Sequence, residues 1–262
     1  MKTRLDAELV RRGLARSREA ATDLILAGDV FVNGMPASKA ATQVDAQTSI
    51  TLKDDHAEFV SRGGHKLAGA LDTFSHLLVA GKTALDAGAS TGGFTDVLLK
   101  RGASKVVAVD VGYGQLAWEL QKDERVKILD RVNVRNLTAA QVGEEIDLVV
   151  ADLSFISLKL VLPALISVAK EGADFLVMVK PQFEVGKEKL GAGGVVRDIH
   201  LRKEAVVAVA EAAFALKLGT VGIVASPLPG PSGNVEYFLW LRKGAPALLE
   251  VDLDLAIAKG PA

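Results

Sequence analysis

The chain contains no cysteine and only four histidines, His56, His65, His76 and His200, in 262 residues. Disulfides, thiolate metal sites and cysteine nucleophiles are thereby excluded, and histidines this scattered predict no metal centre. Aromatic residues are scarce at 5%, which argues against a broad base-stacking platform. Net charge is nearly absent: 31 basic and 32 acidic residues leave −1, with a pI near 6.4. A globally basic nucleic-acid binder would show a higher pI. No apolar run reaches the ~18 residues of a membrane helix; the richest, Leu158 to Ala169, is interrupted by Lys159 and Pro163. The first thirteen residues carry no apolar core of a signal peptide. These absences predict a cytoplasmic protein with no membrane partner.

What is present is a large apolar fraction, 49%, enough for a substantial core. The texture changes near residue 60. Before it, Ala20, Ala21, Leu24 and Ile25 lie at helical spacing, Ser17 can cap their helix, and Gly28 follows it. Val30 to Val32 then meets Asn33-Gly34, a tight hairpin signal, and Ser49 to Leu52 reads as another strand. This is a small α+β domain over residues 1–58, with 59–62 as linker. After it, a helix with Leu67, Ala70, Leu71, Phe74 and Leu77 on one face leads into seven strand candidates. They are Thr83–Ala87, Val106–Asp110, Lys127–Leu129, Asp147–Asp152, Phe175–Lys180, Thr220–Ala225 and Val235–Leu241. The early ones are continuous apolar runs, as expected when helices cover both faces of a sheet. Residues 63–245 therefore predict a doubly wound α/β domain, and 246–262 a tail without a chemical signal.

The sharpest motif is Asp86-Ala87-Gly88-Ala89-Ser90-Thr91-Gly92-Gly93-Phe94, which leaves a buried strand and opens a helix. Its glycines permit a tight turn and close approach to a ligand, and the helix start offers free N–H groups. Asp110 ends the next strand, twenty-four residues after Asp86, where a carboxylate can accept from ribose hydroxyls. The spacing is not that of a dinucleotide site and fits S-adenosyl-L-methionine better, with Asp130 and Asn133 as candidates near the adenine; an ordinary capped turn remains their alternative.

Four charged residues fall where such a sheet builds its active site. Asp152 closes the fourth strand, Lys180 closes the fifth, Glu236 opens the last, and Lys66 lies on the helix before the first strand. If the last strand runs antiparallel, its start shares the carboxyl edge of the others. A lysine at the end of an apolar strand needs a partner, and Asp152 and Glu236 are available. The set suits methyl transfer to a hydroxyl: Lys180 as the base, Lys66 as a nearby cation, and the acids as orienting groups. A structural ion-pair network is the competing reading of each residue taken singly.

Longer stretches carry a resemblance: Arg4-Leu5-Asp6, Gly13 to Arg18, Val60 to Leu67, the glycine loop, Asp110 to Leu116, Asp152 to Ser157, Val179 to Glu184, and Ser226 to Glu236. Together they resemble the TlyA (haemolysin A) family of bacterial ribosomal RNA 2′-O-methyltransferases. The resemblance implies an N-terminal RNA-binding domain like that of ribosomal protein S-four and a Rossmann-like, seven-stranded class I methyltransferase domain of FtsJ type. It implies a Lys-Asp-Lys-Glu tetrad at Lys66, Asp152, Lys180 and Glu236, and cytidine 2′-hydroxyls of rRNA within ribosomal subunits as substrate. The N-terminal sequence through Arg4 is similar to the family's longer type. Arg4, Arg16, Arg18 and Lys39 match basic positions of the family's RNA-binding domain.

Local charge accommodates that partner. Residues 1–20 carry net +3, as do residues 180–203, so RNA would be read by shape and phosphate rather than by stacking. Three alternatives remain open at this level: a catalytically weak ribosome-assembly factor, a nicotinamide-dependent oxidoreductase and a membrane cytolysin. The glycine spacing and the filled tetrad disfavour the first two, and the lack of a membrane-length segment disfavours the third.

Overall fold

The computed structural model describes residues 3–15, 17–26, 28–32, 35–45, 48, 50–52, 59–230 and 232–261. The chain divides into two units, residues 1–57 and 58–262.

In the first unit β1 (Thr3–Arg4) precedes α1 (Leu5–Arg11) and α2 (Arg18–Leu26), followed by β2 (Val30–Val32), β3 (Met35–Pro36), β4 (Gln43–Val44) and β5 (Ile50–Leu52). The Ser17 hydroxyl accepts from the Ala20 N–H at 3.1 Å, and Gly28 at φ +78° ends the helical run. β2 lies between β3 and β5, all antiparallel. Val32 pairs with Met35, across an Asn33-Gly34 pair that lies outside the described residues. Leu5, Leu9, Ala21, Ile25 and Val30 form the core. The β1–β4 pair has no sequence signal, because each strand is two residues long.

The second unit runs α3 (Arg62–Thr73), β6 (Thr83–Ala87), α4 (Gly93–Lys100), β7 (Lys105–Asp110), α5 (Trp118–Gln121), β8 (Val126–Asp130), α6 (Ala139–Val142), β9 (Ile146–Ala151) and α7 (Leu158–Val168). It continues with β10 (Ala169–Val179), α8 (Pro181–Glu184), α9 (Ile199–Ala215), β11 (Leu218–Ala225), β12 (Tyr237–Lys243) and α10 (Glu250–Ala258). Seven strands form one Rossmann-like sheet in the order β11-β12-β10-β9-β6-β7-β8. The period of two sorts their side chains. Leu85, Val107, Val149, Val177 and Leu239 face one core; Ala84, Val106, Leu148, Leu176 and Phe238 face the other.

Neighbours from β10 to β8 run parallel, whereas β12 is antiparallel to both β10 and β11. Glu236, immediately before β12, therefore joins the carboxyl ends of the parallel strands, as the conditional reading required.

Two expected boundaries are corrected. Residues 59–62, expected as linker, belong to the larger unit: Phe59 is buried in its core, the Val60 N–H donates to Asp96 at 2.9 Å, and Arg62 begins α3. Phe59 is apolar and finds a pocket, which a solvated linker would not offer it. The tail is no tail: Leu253, Ala256 and Ile257 of α10 are buried, with Leu253 and Ile257 in the sheet's core. The i, i+3, i+4 spacing explains the helix. No helix among the described residues is long and apolar enough to cross a membrane.

Candidate active site

The site is assembled at the carboxyl edge, where β6, β7, β9 and β10 end. The turn after β6 sets its floor. Gly88 sits at φ +89°, and a Cβ there would lie 2.5 Å from the Asp152 carbonyl oxygen. Gly92, at φ +98°, has no room for a Cβ against Leu120 and Leu116. Both positions require glycine, for their positive φ and because neighbouring parts of the protein occupy the space of a side chain. One cavity of about 250 Å³ is lined by Ser61, Lys66, Gly88 to Thr91, Gly93, Phe94, Asp152, Ser154 and Lys180, among others. A second, of about 490 Å³, shares Gly88, Ser90, Asp152 and Ser154 and reaches Asp110, Gln115 and Asn133. The shared walls make them one cleft.

Two ion pairs stand at its head, one buried and one in which Lys180 is buried and Asp152 partly exposed. Lys66 Nζ lies 2.6 Å from Glu236 Oε2, and Lys180 Nζ lies 2.5 Å from Asp152 Oδ1. Lys180 also donates to the Ser154 hydroxyl at 3.0 Å, and Gln182 reaches Glu236 at 3.5 Å. Lys66 crosses from α3 to meet a residue 170 positions later. The four residues singled out at strand ends thus converge as two lysine–carboxylate pairs. Each charge is compensated at the place where burial would otherwise penalise it.

The remaining candidates divide. Ala89, Ser90, Thr91, Gly93, Phe94, Asp110 and Asn133 line the cleft. Asp110 accepts from the N–H groups of Ser90 at 2.9 Å and Gly112 at 2.7 Å, which ties the glycine loop to the end of β7. Asn133 also accepts from the Arg135 N–H at 3.0 Å.

Asp86, Gly92 and Asp130, expected at the ligand, line neither cavity. Asp86 is fully buried beneath the loop and accepts from the Thr95 hydroxyl at 2.7 Å. Its other oxygen has no hydrogen-bond partner. Burial pushes its pKa up to about 7, against the pull of the Thr95 hydrogen bond. Asp130 is occupied by the Gly114 N–H at 2.9 Å. Gly92 gives way to the packing of leucines. The motif's order was readable, but not which of its residues point inward.

Sequence reasoning missed Ser61, Arg62, Gly63, Ser154, Gln182 and Pro229, small or polar residues without a spacing signal. It also missed Phe155, which holds φ +63°, is 92% exposed and packs at 5.2 Å against Phe183. Positive φ at a bulky residue is costly. Phe155, Phe183, Arg135 and Lys187 line a further hollow that opens onto Lys180 and Glu236.

In the small unit, Arg4 and Arg18 converge on Asp6, with their Nη2 atoms 3.0 and 2.8 Å from Oδ2. Asp6 is buried while both arginines stay half open to solvent. The hydrogen bond from Arg4 holds its pKa well below the carboxylate range. Lys39 is exposed. Arg16 lies outside the described residues.

Comparisons with known proteins agree with this architecture. Residues 59–243 match the FtsJ-like methyltransferase family and residues 3–50 the S4 domain. The chain is 58% identical to the 16S/23S rRNA (cytidine-2′-O)-methyltransferase TlyA of Mycobacterium tuberculosis, over 99% of both chains. It is 37% identical to Hemolysin A of Brachyspira hyodysenteriae, over 89% of this chain and 97% of that one. A Streptococcus thermophilus protein solved under the hemolysin name superposes with a TM-score of 0.83 at 36% identity, covering 98% of this chain and 95% of its own. The chain belongs to the TlyA family, in which an S4 domain precedes an FtsJ-like methyltransferase domain.

Proposed function

We propose that the chain methylates the ribose 2′-hydroxyl of a cytidine in ribosomal RNA, within ribosomal subunits in the cytoplasm. The observation that carries this reading is the convergence of the Lys66–Glu236 and Lys180–Asp152 pairs on the cleft that begins at the glycine loop.

The methyl donor of this enzyme class is S-adenosyl-L-methionine, and the cleft fits it. The turn from Gly88 to Thr91 lines the cleft beside the start of α4, and Asp110 offers carboxylate oxygens for a ribose. Asn133 and Gln115 add polar groups farther along the wall. When bound, S-adenosyl-L-methionine supplies an electrophilic methyl group on a sulfonium. The chain's own residues do the rest. Ser90 and Asp110 hold each other and so fix the cleft's shape. Asp152 and Ser154 aim Lys180 Nζ at the acceptor hydroxyl; once its own ammonium proton has been released to solvent, the neutral amine takes the hydroxyl proton as the methyl group is transferred. Glu236 fixes Lys66 as a cation at the same place. Phe94, Leu153 and Pro229 restrict water.

The S4 domain supports RNA as substrate. Arg4, Arg16, Arg18 and Lys39 would meet phosphates, the two described arginines keeping donors free beyond Asp6. The cytidine and the ribosomal context rest on the name of the M. tuberculosis relative.

The test is transfer of a labelled methyl group to isolated ribosomal subunits that lack the modification, followed by mapping of the labelled nucleotide. The expected result is label in rRNA on a cytidine ribose. No label with either subunit, or label on a base, overturns the reading.

A further inference from the structure

The loop after β9 and the turn after β10 carry half of the tetrad, Asp152 and Lys180. They are joined twice. At the cleft, Lys180 binds Asp152 and Ser154. At the far end, Glu184 Oε1 accepts from the Leu158 N–H at 2.7 Å, and Oε2 accepts from the Ser157 hydroxyl at 2.6 Å. Ser157 caps α7 by accepting from the Lys159 N–H at 3.3 Å. The Glu184 side chain is almost fully buried, and Lys159 Nζ stands 3.9 Å away.

A buried carboxylate is an expensive way to cap a helix. Burial pushes the Glu184 pKa up, while Ser157 and Leu158 pull it down. Ser157 alone already serves α7 as its N-cap. What the acid adds is a tie between segments 26 and 27 residues apart in sequence. Between the two joints the chain must pass through Phe155 at φ +63°, a conformation that persists only when its surroundings enforce it.

We infer that Glu184 is a positioning residue for the transfer reaction: it clamps residues 157–158 to the turn after Lys180 and so fixes Asp152 and Lys180 in mutual register. The inference rests on the methyltransferase reading above. A misplacement of about 1 Å at reacting groups costs on the order of 10²-fold in rate, so a clamp one turn from Lys180 reaches catalysis without touching substrate. The methyl-donor side is not involved, since no hydrogen bond of Glu184 reaches the loops after β6 and β7.

Three single variants, one double variant and two readouts test it. Glu184→Ala lowers kcat for rRNA at least tenfold, while the Kd for S-adenosyl-L-methionine stays within about twofold. Glu184→Gln keeps an acceptor for Leu158, the Ser157 hydroxyl turns to accept from the amide, and kcat recovers to within about threefold of the parent. Ser157→Ala removes one joint only and costs about threefold; combined with Glu184→Ala it adds nothing further. The second readout needs no activity: amide hydrogen exchange in the intact protein. In Glu184→Ala, residues 153–160 exchange at least tenfold faster, and residues 83–97 are unchanged. Unchanged kcat in Glu184→Ala, unchanged exchange over 153–160, or a parallel loss of donor affinity overturns the clamp. If Glu184→Ala does not fold, Ser157→Ala decides through the same two readouts. A parent protein that labels no rRNA overturns the reaction instead, and the exchange data still judge the clamp.

Discussion

In the small unit Asp6 and Glu8 are buried carboxylates, and each is met by two arginines. Arg4 and Arg18 bind Asp6; Arg11 and Arg12 bind Glu8 at 2.6 and 2.7 Å. In the large unit Asp86 is buried and held by neutral hydrogen bonds from Thr95, with no cation paired to it among the described residues. The first arrangement holds both acids ionised, and the second pushes Asp86 towards its protonated form. The difference follows from what each unit presents. The small unit keeps its arginines partly exposed, so the charges that satisfy its acids also face outward. The large unit treats Asp174 in the same way, with the partly exposed Lys82 and Arg242, but it also brings Lys66 and Lys180 into the cleft and leaves the acid beneath the glycine loop to a neutral partner. On the proposed function, the arginines around Asp6 serve docking and the cleft lysines serve chemistry.

The largest stability effect falls on the cleft pairs. Glu236→Ala leaves Lys66 buried and unpaired, at a cost of about 3–5 kcal/mol. Adding Lys66→Met recovers part of that stability while methyl transfer stays lost. Denaturant unfolding of both variants checks this, and equal stability of Glu236→Ala and the parent breaks the comparison.

Next comes pH. The folded pKa of Asp86, about 7, lies above its ordinary value of 3.8. Its contribution is therefore fully present below about pH 4 and is lost as pH rises through 7, by up to about 4 kcal/mol. Asp86→Asn removes that slope, so its stability relative to the parent improves between pH 4 and 7. Asp6 has the opposite sign: its folded pKa is lowered, so its contribution is present above pH 4 and lost on acidification. Asp6→Asn flattens the acid side only. Parallel pH profiles for the two variants would remove the distinction between the units.

The smallest effect separates docking from folding. Replacing Arg4 and Arg18 by alanine strands the buried Asp6 and lowers the melting temperature; adding Asp6→Asn restores it. The triple variant still binds rRNA with a shallower salt dependence, by roughly 0.7 per lost phosphate contact. An unchanged slope places the RNA face elsewhere.

The fold was readable wherever burial on both sides wrote apolar runs, as in Leu148 to Val150 and Leu176 to Val179. It was unreadable at β1 and β4, where two residues carry no period, and at Phe59, whose single aromatic ring lies beyond a polar stretch. α10 was readable in principle, since Leu253, Ala256 and Ile257 have helical spacing. In the site, the convergence of Asp152, Lys180 and Glu236 at one edge was legible because charge at the end of an apolar strand is anomalous. That Asp86 lies buried beneath the loop and Asp130 accepts from Gly114 was not legible, because sequence order does not tell which side of a turn a carboxylate faces. Glu184 sat inside a recognised motif, yet its role depends on Ser157, 27 residues earlier. No local pattern encodes such a pairing.

The central claim is that chemistry resides in the large unit and docking in the small one. Steady-state kinetics on ribosomal subunits tests it most directly, comparing Lys180→Ala with the triple variant of Asp6, Arg4 and Arg18. The account predicts a fall of about 10²–10⁴ in kcat for Lys180→Ala with rRNA affinity within about threefold. For the triple variant it predicts weaker rRNA binding with kcat largely kept. A Lys180→Ala enzyme that turns over like the parent, or that fails only by losing rRNA, would contradict it.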